Sequence, residues 1–192
     1  MAKPVQGLSH RLRGPALSPL PDPAATPNFA AIVMGVSGCG KSTLGSLLGA
    51  ALDAPFLEGD DFHAPEAVAK MRAGCPLTDE DRWPWLDRIG LAANAAVATH
   101  GRTVIACSAL RAAYRARLRA AIAAPVRFIL LENSRERLLA RLKSRANHYM
   151  PTSLLDSQLA TLERPGQDED AMILNTDADP AALRDAALHW LR

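Results

Sequence analysis

Aromatic residues are scarce in this chain, 5% of 192 positions. Any core must therefore be assembled mainly from Ala, Leu, Ile and Val, and a hydrophobic content of 48% makes such a core attainable. There are only three cysteines, Cys39, Cys75 and Cys107, an odd number without CxxC spacing. That pattern argues against a disulfide framework and predicts reduced thiols in a cytoplasmic protein. No apolar stretch approaches the ~20 residues that cross a bilayer, and the start of the chain lacks the apolar run of a secretory signal. A surplus of charge is also missing. The formal balance of +2 is carried by residues 1–28, and the rest holds 19 basic and 19 acidic residues. A neutral domain has no electrostatic footprint for nucleic acid, so neither nucleic acid nor membrane is an expected partner.

Six of the 14 prolines (4, 15, 19, 21, 23 and 27) fall within residues 1–28. Prolines at that density remove backbone donors and cannot form a helix interior, so 1–28 is read as a disordered leader. Residues 29–192 are read as one α/β domain. Short apolar runs at Phe29–Met34, Pro55–Leu57, Thr103–Cys107, Val126–Leu131 and Ala171–Leu174 predict five strands. Between them, helical patterns place Leu44, Leu47 and Leu48 on one face, Trp85, Leu86, Ile89, Ala93 and Val97 on another, and Leu138, Leu139 and Leu142 on a third. Pro84 is placed in the first turn of its helix, and Asn133 with Glu136 is spaced as a capping box. Strands alternating with helices predict a five-stranded parallel sheet covered on both faces.

The strongest chemical signal is Gly35-Val36-Ser37-Gly38-Cys39-Gly40-Lys41-Ser42-Thr43, a P-loop between a predicted strand and a predicted helix. Glycines let consecutive amides close around phosphates, and the helix adds the positive end of its dipole. Lys41 is expected to reach the β- and γ-phosphates of ATP, and Ser42 to ligate Mg²⁺. Cys39 is read as a small filler. The Asn-Lys-x-Asp signature of guanine-specific switches is absent, and the chain is too short for a motor or transporter ATPase. Phosphoryl transfer to a small acceptor remains.

On the acceptor side, the second strand ends in Glu58-Gly59-Asp60-Asp61-Phe62-His63. Ligands gather at the carboxyl ends of strands in such sheets, so Asp60 is placed to take or orient an acceptor hydroxyl. Thr78–Trp85 reads at least partly as a helix cap with an Asp-Arg pair. The third strand ends without the aspartate that holds Mg²⁺ in many P-loop proteins, leaving Ser42, phosphates, waters, and Glu58 or Asp60. Arg137, Arg141 and Arg145 share a helix face, either a solvated stripe or cations over the phosphates. Ser144–Met150 looks like a lid. Arg111, Arg115 and Arg119 form a second stripe, read as surface apart from Arg111.

Several segments together resemble the thermoresistant type of gluconokinase. They are Gly35–Thr43, Gly59–His63, Lys70-Met71, the Gly74–Leu86 stretch with Pro76-Leu77-Thr78-Asp79 and Asp81-Arg82, Cys107–Leu110, Tyr114-Arg115, and Leu155 to Glu163 with Ser157-Gln158. The resemblance spans about residues 29–175. It implies transfer of the ATP γ-phosphate to the 6-hydroxyl of D-gluconate with Mg²⁺, a fold similar to shikimate and nucleoside monophosphate kinases with a small lid, and a homodimer. It further implies Lys41, Asp60 and Arg145 as catalytic residues and Arg141 at the nucleotide. Asp60, His63, Arg82, Arg111 and His148 are implied around the sugar acid, whose carboxylate suits the arginine fork. The chain departs from the family pattern at Ala67, where asparagine is usual, and at Arg111, where lysine is usual. Kinases of other small acids such as shikimate, and a nucleotide-binding regulatory protein without turnover, are the alternatives.

Overall fold

The computed structural model describes residues 28–144 and 152–192. The expected leader, apart from Asn28, and the lid residues Arg145 and His148 lie outside that range. In chain order the elements are β1 (Phe29–Met34), α1 (Lys41–Leu52), β2 (Phe56–Glu58), a 3-10 turn (Gly59–Phe62), α2 (Pro65–Arg72), α3 (Asp79–His100) and β3 (Arg102–Ala106). There follow α4 (Ala112–Ala121), β4 (Val126–Glu132), α5 (Arg135–Ser144), α6 (Thr152–Thr161), β5 (Ala171–Asn175) and α7 (Pro180–Leu191). The five strands pair in parallel in the order β2-β3-β1-β4-β5.

Strand periodicity divides the interior in two. In β1 every residue is buried, as a central strand covered on both faces requires. Phe29, Ala31 and Val33 face a core with Leu44 and Leu48 of α1, Leu138 and Leu142 of α5, and Leu183 and Leu191 of α7. Ala30, Ile32 and Met34 face the opposite core with Trp85, Leu86 and Ile89 of α3 and Tyr114 and Leu118 of α4. The alternation continues in β4, with Ile129 and Leu131 on the first side and Phe128 and Leu130 on the second.

Three local expectations need correction. Pro84 lies in the second turn of α3, not the first, because Thr78 is the N-cap: its hydroxyl accepts from the Asp81 amide while Asp81 accepts from Thr78 N. The helix tolerates the proline because Pro84 and Glu80, whose carbonyl loses its partner, are both exposed to water. The cap of α5 is Ser134, whose hydroxyl accepts from the Arg137 amide, whereas the Asn133 side chain donates to Thr176 Oγ1 and accepts from Ser134 N. Arg115 is not on the surface. It is 0% exposed, and its guanidinium donates to both Glu169 oxygens at 2.7 Å and to the carbonyls of Ala109, Leu110 and Glu163. Arg119, one turn further on, is only partly exposed and pairs with the same Glu169 at 2.8 Å.

Candidate active site

The P-loop connects β1 to α1, and its backbone is set by glycine. Gly35 has φ 134°, and a Cβ there would lie 2.7 Å from the Leu131 carbonyl oxygen. Gly40 is the N-cap of α1, no side chain caps that terminus, and no acidic residue stands in its first turn. The first-turn amides are thus left for an anion. Lys41 Nζ donates to Val36 O at 3.1 Å, folding the ammonium back over the loop. Cys39 is buried, which suits the filler role.

Opposite the loop, β2 ends where Gly59 passes tightly against β3. A Cβ on Gly59 would sit 2.2 Å from Ala106 O. This close approach turns the chain into the 3-10 segment, leaving the Asp60 side chain 78% exposed and the His63 side chain 4% exposed. Trp85 Nε1 donates to Gly59 O at 2.7 Å and its indole stacks on His63, centroids 4.3 Å apart at 12°. His63 Nε2 lies 3.9 Å from Asp60 Oδ1, while Nδ1 is buried without a hydrogen-bond partner. Burial lowers the His63 pKa, with Arg88 and Arg82 adding to it against Asp60, so the imidazole is neutral at neutral pH.

These groups share one cleft of about 840 Å³, mouth included, lined by Ser37 and Lys41 from the P-loop and by Asp60, His63 and Arg82. Its other walls come from Met71 to Leu77, from Trp85 and Tyr114, and from α6. Arg82 donates to Tyr114 Oη at 3.2 Å and lies 3.6 Å from Asp79, while Tyr114 donates its hydroxyl to Asp79. Arg111 is not part of the lining: it pairs with Asp79 at 3.1 Å and lies beside the Tyr114 ring. Ala67 is buried and also outside the lining.

A second pocket opens on the other side of the P-loop, between Gly38, Gly40 and Thr43 and the segment Thr176–Pro180 after β5. Arg141 crosses it, donating to Thr176 O at 2.7 Å. Arg137 pairs with Asp177 outside the pocket. The end of β3 carries Ala106, Cys107 and Ser108 and no acid. Burial, aided by the charges of Asp60 and Glu58 and opposed by a hydrogen bond with the Ala109 backbone and by Lys41, leaves the Cys107 thiol pushed up to about 12, so it is no nucleophile. Among the described residues no group of three His, Cys, Asp or Glu side chains is arranged to hold a metal. The exposed Ser42 hydroxyl at the start of α1 still suits Mg²⁺, which keeps several waters and takes phosphate oxygens.

Sequence reasoning gave no role to Tyr114, Gln158, Thr176 or the Trp85 indole. Thr176 was within reach of the strand-end rule, since it directly follows β5. The others reach the cleft through tertiary packing alone.

A parallel sheet with a P-loop between its central strand and α1, facing an acidic strand end across a small cleft, defines a P-loop kinase of small molecules. The AAA domain family model matches residues 31–165. The thermosensitive gluconokinase of Escherichia coli is 44% identical over 142 residues, 74% of this chain and 75% of that one. A gluconokinase from Sinorhizobium meliloti superposes with a TM-score of 0.76 at 40% identity, covering 85% of this chain and 91% of that one. An unliganded sugar kinase from Janibacter sp. gives a TM-score of 0.80 at 42% identity, covering 86% and 95%. The chain belongs to the gluconokinase family.

Proposed function

We propose that the protein phosphorylates D-gluconate at its 6-hydroxyl with ATP, giving 6-phospho-D-gluconate and ADP. The observation that carries this reading is the meeting of Lys41, Asp60, His63 and Arg82 in one cleft, in a chain 44% identical to a gluconokinase.

In this reading the triphosphate lies in the loop Gly35–Thr43, with the adenosine end toward Arg141 and Thr176. The 6-oxygen attacks the γ-phosphorus, the bond to the β-bridging oxygen breaks, and the hydroxyl proton passes to Asp60. Lys41 holds the charge that develops on the transferring group. Arg82 meets the sugar-acid carboxylate, and the neutral His63 beside Asp60 takes up a hydroxyl of the sugar acid. Ser42 and the phosphate oxygens would hold Mg²⁺, which would neutralise phosphate charge. Arg111 contributes at the rim through Asp79, and Arg145 and His148 close over both substrates. The leader at 1–28 precedes the catalytic unit at 29–192. We further infer a homodimer. Three unpaired cysteines, one of them exposed, favour a cytoplasmic setting, and no helix among the described residues is long and apolar enough to cross a membrane.

The test is ADP release with Mg·ATP and a panel of gluconate, other sugar acids, shikimate and nucleoside monophosphates. Release with gluconate is expected, and background release with it overturns the reading. Release only with another acid reassigns the acceptor, and tight ATP binding without any release points to a regulatory protein. Lys41→Ala is expected to lower turnover by about a hundredfold or more.

A further inference from the structure

Helix α6 joins the P-loop to the acceptor cleft through one side chain. Leu154, Ser157, Gln158 and Thr161 all line the cleft. Their spacing, i, i+3, i+4 and i+7, makes them a single helix face. Leu155, fully buried in the α1-side core, and an Asp156–Arg135 ion pair at 2.7 Å hold that helix in place. The Thr161 hydroxyl is committed to the helix itself, donating to Ser157 O at 2.7 Å. Gln158 instead reaches out of α6: its Oε1 accepts the backbone N–H of Ser37 at 2.7 Å, across 121 residues of sequence.

This bond fixes the orientation of the carboxamide. A main-chain N–H can only donate, so the amide oxygen must face the P-loop and the NH₂ must face away from it. That NH₂ has no protein partner among the described residues. Two donors are therefore held beside Ser37 and Lys41, in a cleft that also presents Asp60, His63 and Arg82.

We propose that Gln158 is a specificity-determining residue that is anchored by the Ser37 amide and donates its NH₂ to an oxygen of the bound acceptor. It ties the position of the acceptor to the P-loop that holds the phosphate donor. The chemistry selects an oxygen-rich acceptor, a polyol or carboxylate oxygen at that point, over an apolar or amine-bearing one. The proposal rests on the kinase reading above and adds a residue that the reading does not require.

Two variants separate its two halves. Gln158→Glu keeps an oxygen for the Ser37 amide but removes both donors and places a negative charge against the acceptor. Gln158→Leu removes anchor and donors together. Steady-state kinetics with varied gluconate and varied Mg·ATP, Mg·ATP binding, and hydrogen exchange of the Ser37 amide are measured on the full chain. Both variants are expected to raise the gluconate KM by about tenfold or more while Mg·ATP affinity stays within about twofold. Exchange at Ser37 is expected to stay near that of the unaltered protein in Gln158→Glu and to accelerate in Gln158→Leu. A gluconate KM unchanged in Gln158→Glu overturns the proposal, as does a loss confined to Mg·ATP affinity. If the unaltered protein releases no ADP with gluconate but does with another acid, the gluconate reading fails alone, and the same KM comparison is made with that acid. If no acceptor releases ADP, both fall.

Discussion

At the scale of single residues, the cleft separates groups by environment. Asp60 is open to solvent while His63, three residues on, is almost fully enclosed against Trp85. The two are only 3.9 Å apart, yet burial outweighs the Asp60 charge and keeps the imidazole neutral. Because the folded-state pKa of His63 lies below 6.5, the unfolded chain binds more protons in the window between them. His63 therefore contributes stability above 6.5 that is lost as pH falls through that window. Urea unfolding at pH 7.5 and pH 5.5 is expected to show a smaller loss toward acid for His63→Asn than for the unaltered protein; equal slopes refute the assignment. Asp60→Asn is expected to cut turnover by about a hundredfold while leaving Mg·ATP affinity nearly intact. Collapse of Mg·ATP affinity in that variant, measured by calorimetry, places Asp60 in the metal shell instead.

At the scale of elements, the site depends on how closely β2 passes β3. Only a residue without Cβ fits at Gly59, because a Cβ there would lie 2.2 Å from Ala106 O, and that close approach sets where Asp60 stands. Gly59→Ala is expected to push the 3-10 turn off β3 and to lower turnover tenfold or more, since displacements of ~1 Å at a reacting group cost up to about a hundredfold. Activity near normal with an unchanged melting temperature would mean that the turn relaxes without moving Asp60. The strands themselves were legible in the chain to within a residue or two, because uninterrupted apolar runs bounded by Gly and Pro have few other structures available. The helix termini were less so. Thr78 and Ser134 cap α3 and α5, displacing the starts inferred from Pro84 and Asn133. Several residues near each terminus can cap, and the choice falls to the chain path that tertiary packing imposes.

At the scale of the whole molecule, Arg115 and Glu169 clamp α4 to the turn after β3 and to the segment before β5. Arg115 and Arg119 hold the Glu169 carboxyl down to about 2 against an ordinary 4.5. Its contribution is complete above pH 4.5 and is lost as pH falls toward 2. Arg115→Met is expected to destabilise the protein by about 3 kcal/mol or more, because it leaves a largely buried carboxylate with only Arg119 and the Gly166 amide as partners. Denaturant unfolding checks this, and a cost under about 1 kcal/mol refutes it. The sequence alone determined the sheet, the P-loop and the acidic strand end, since each depends on neighbours within ten residues and on the periods of strand and helix. Tertiary structure alone decided that Arg115 is interior, that Arg111 turns to Asp79, and that Gln158 reaches the Ser37 amide. Those contacts join residues 32 to 121 positions apart, and which side chains meet over such spans is set by how helices pack on the sheet. The P-loop announces that a phosphate is held, and the packing around it decides what receives that phosphate.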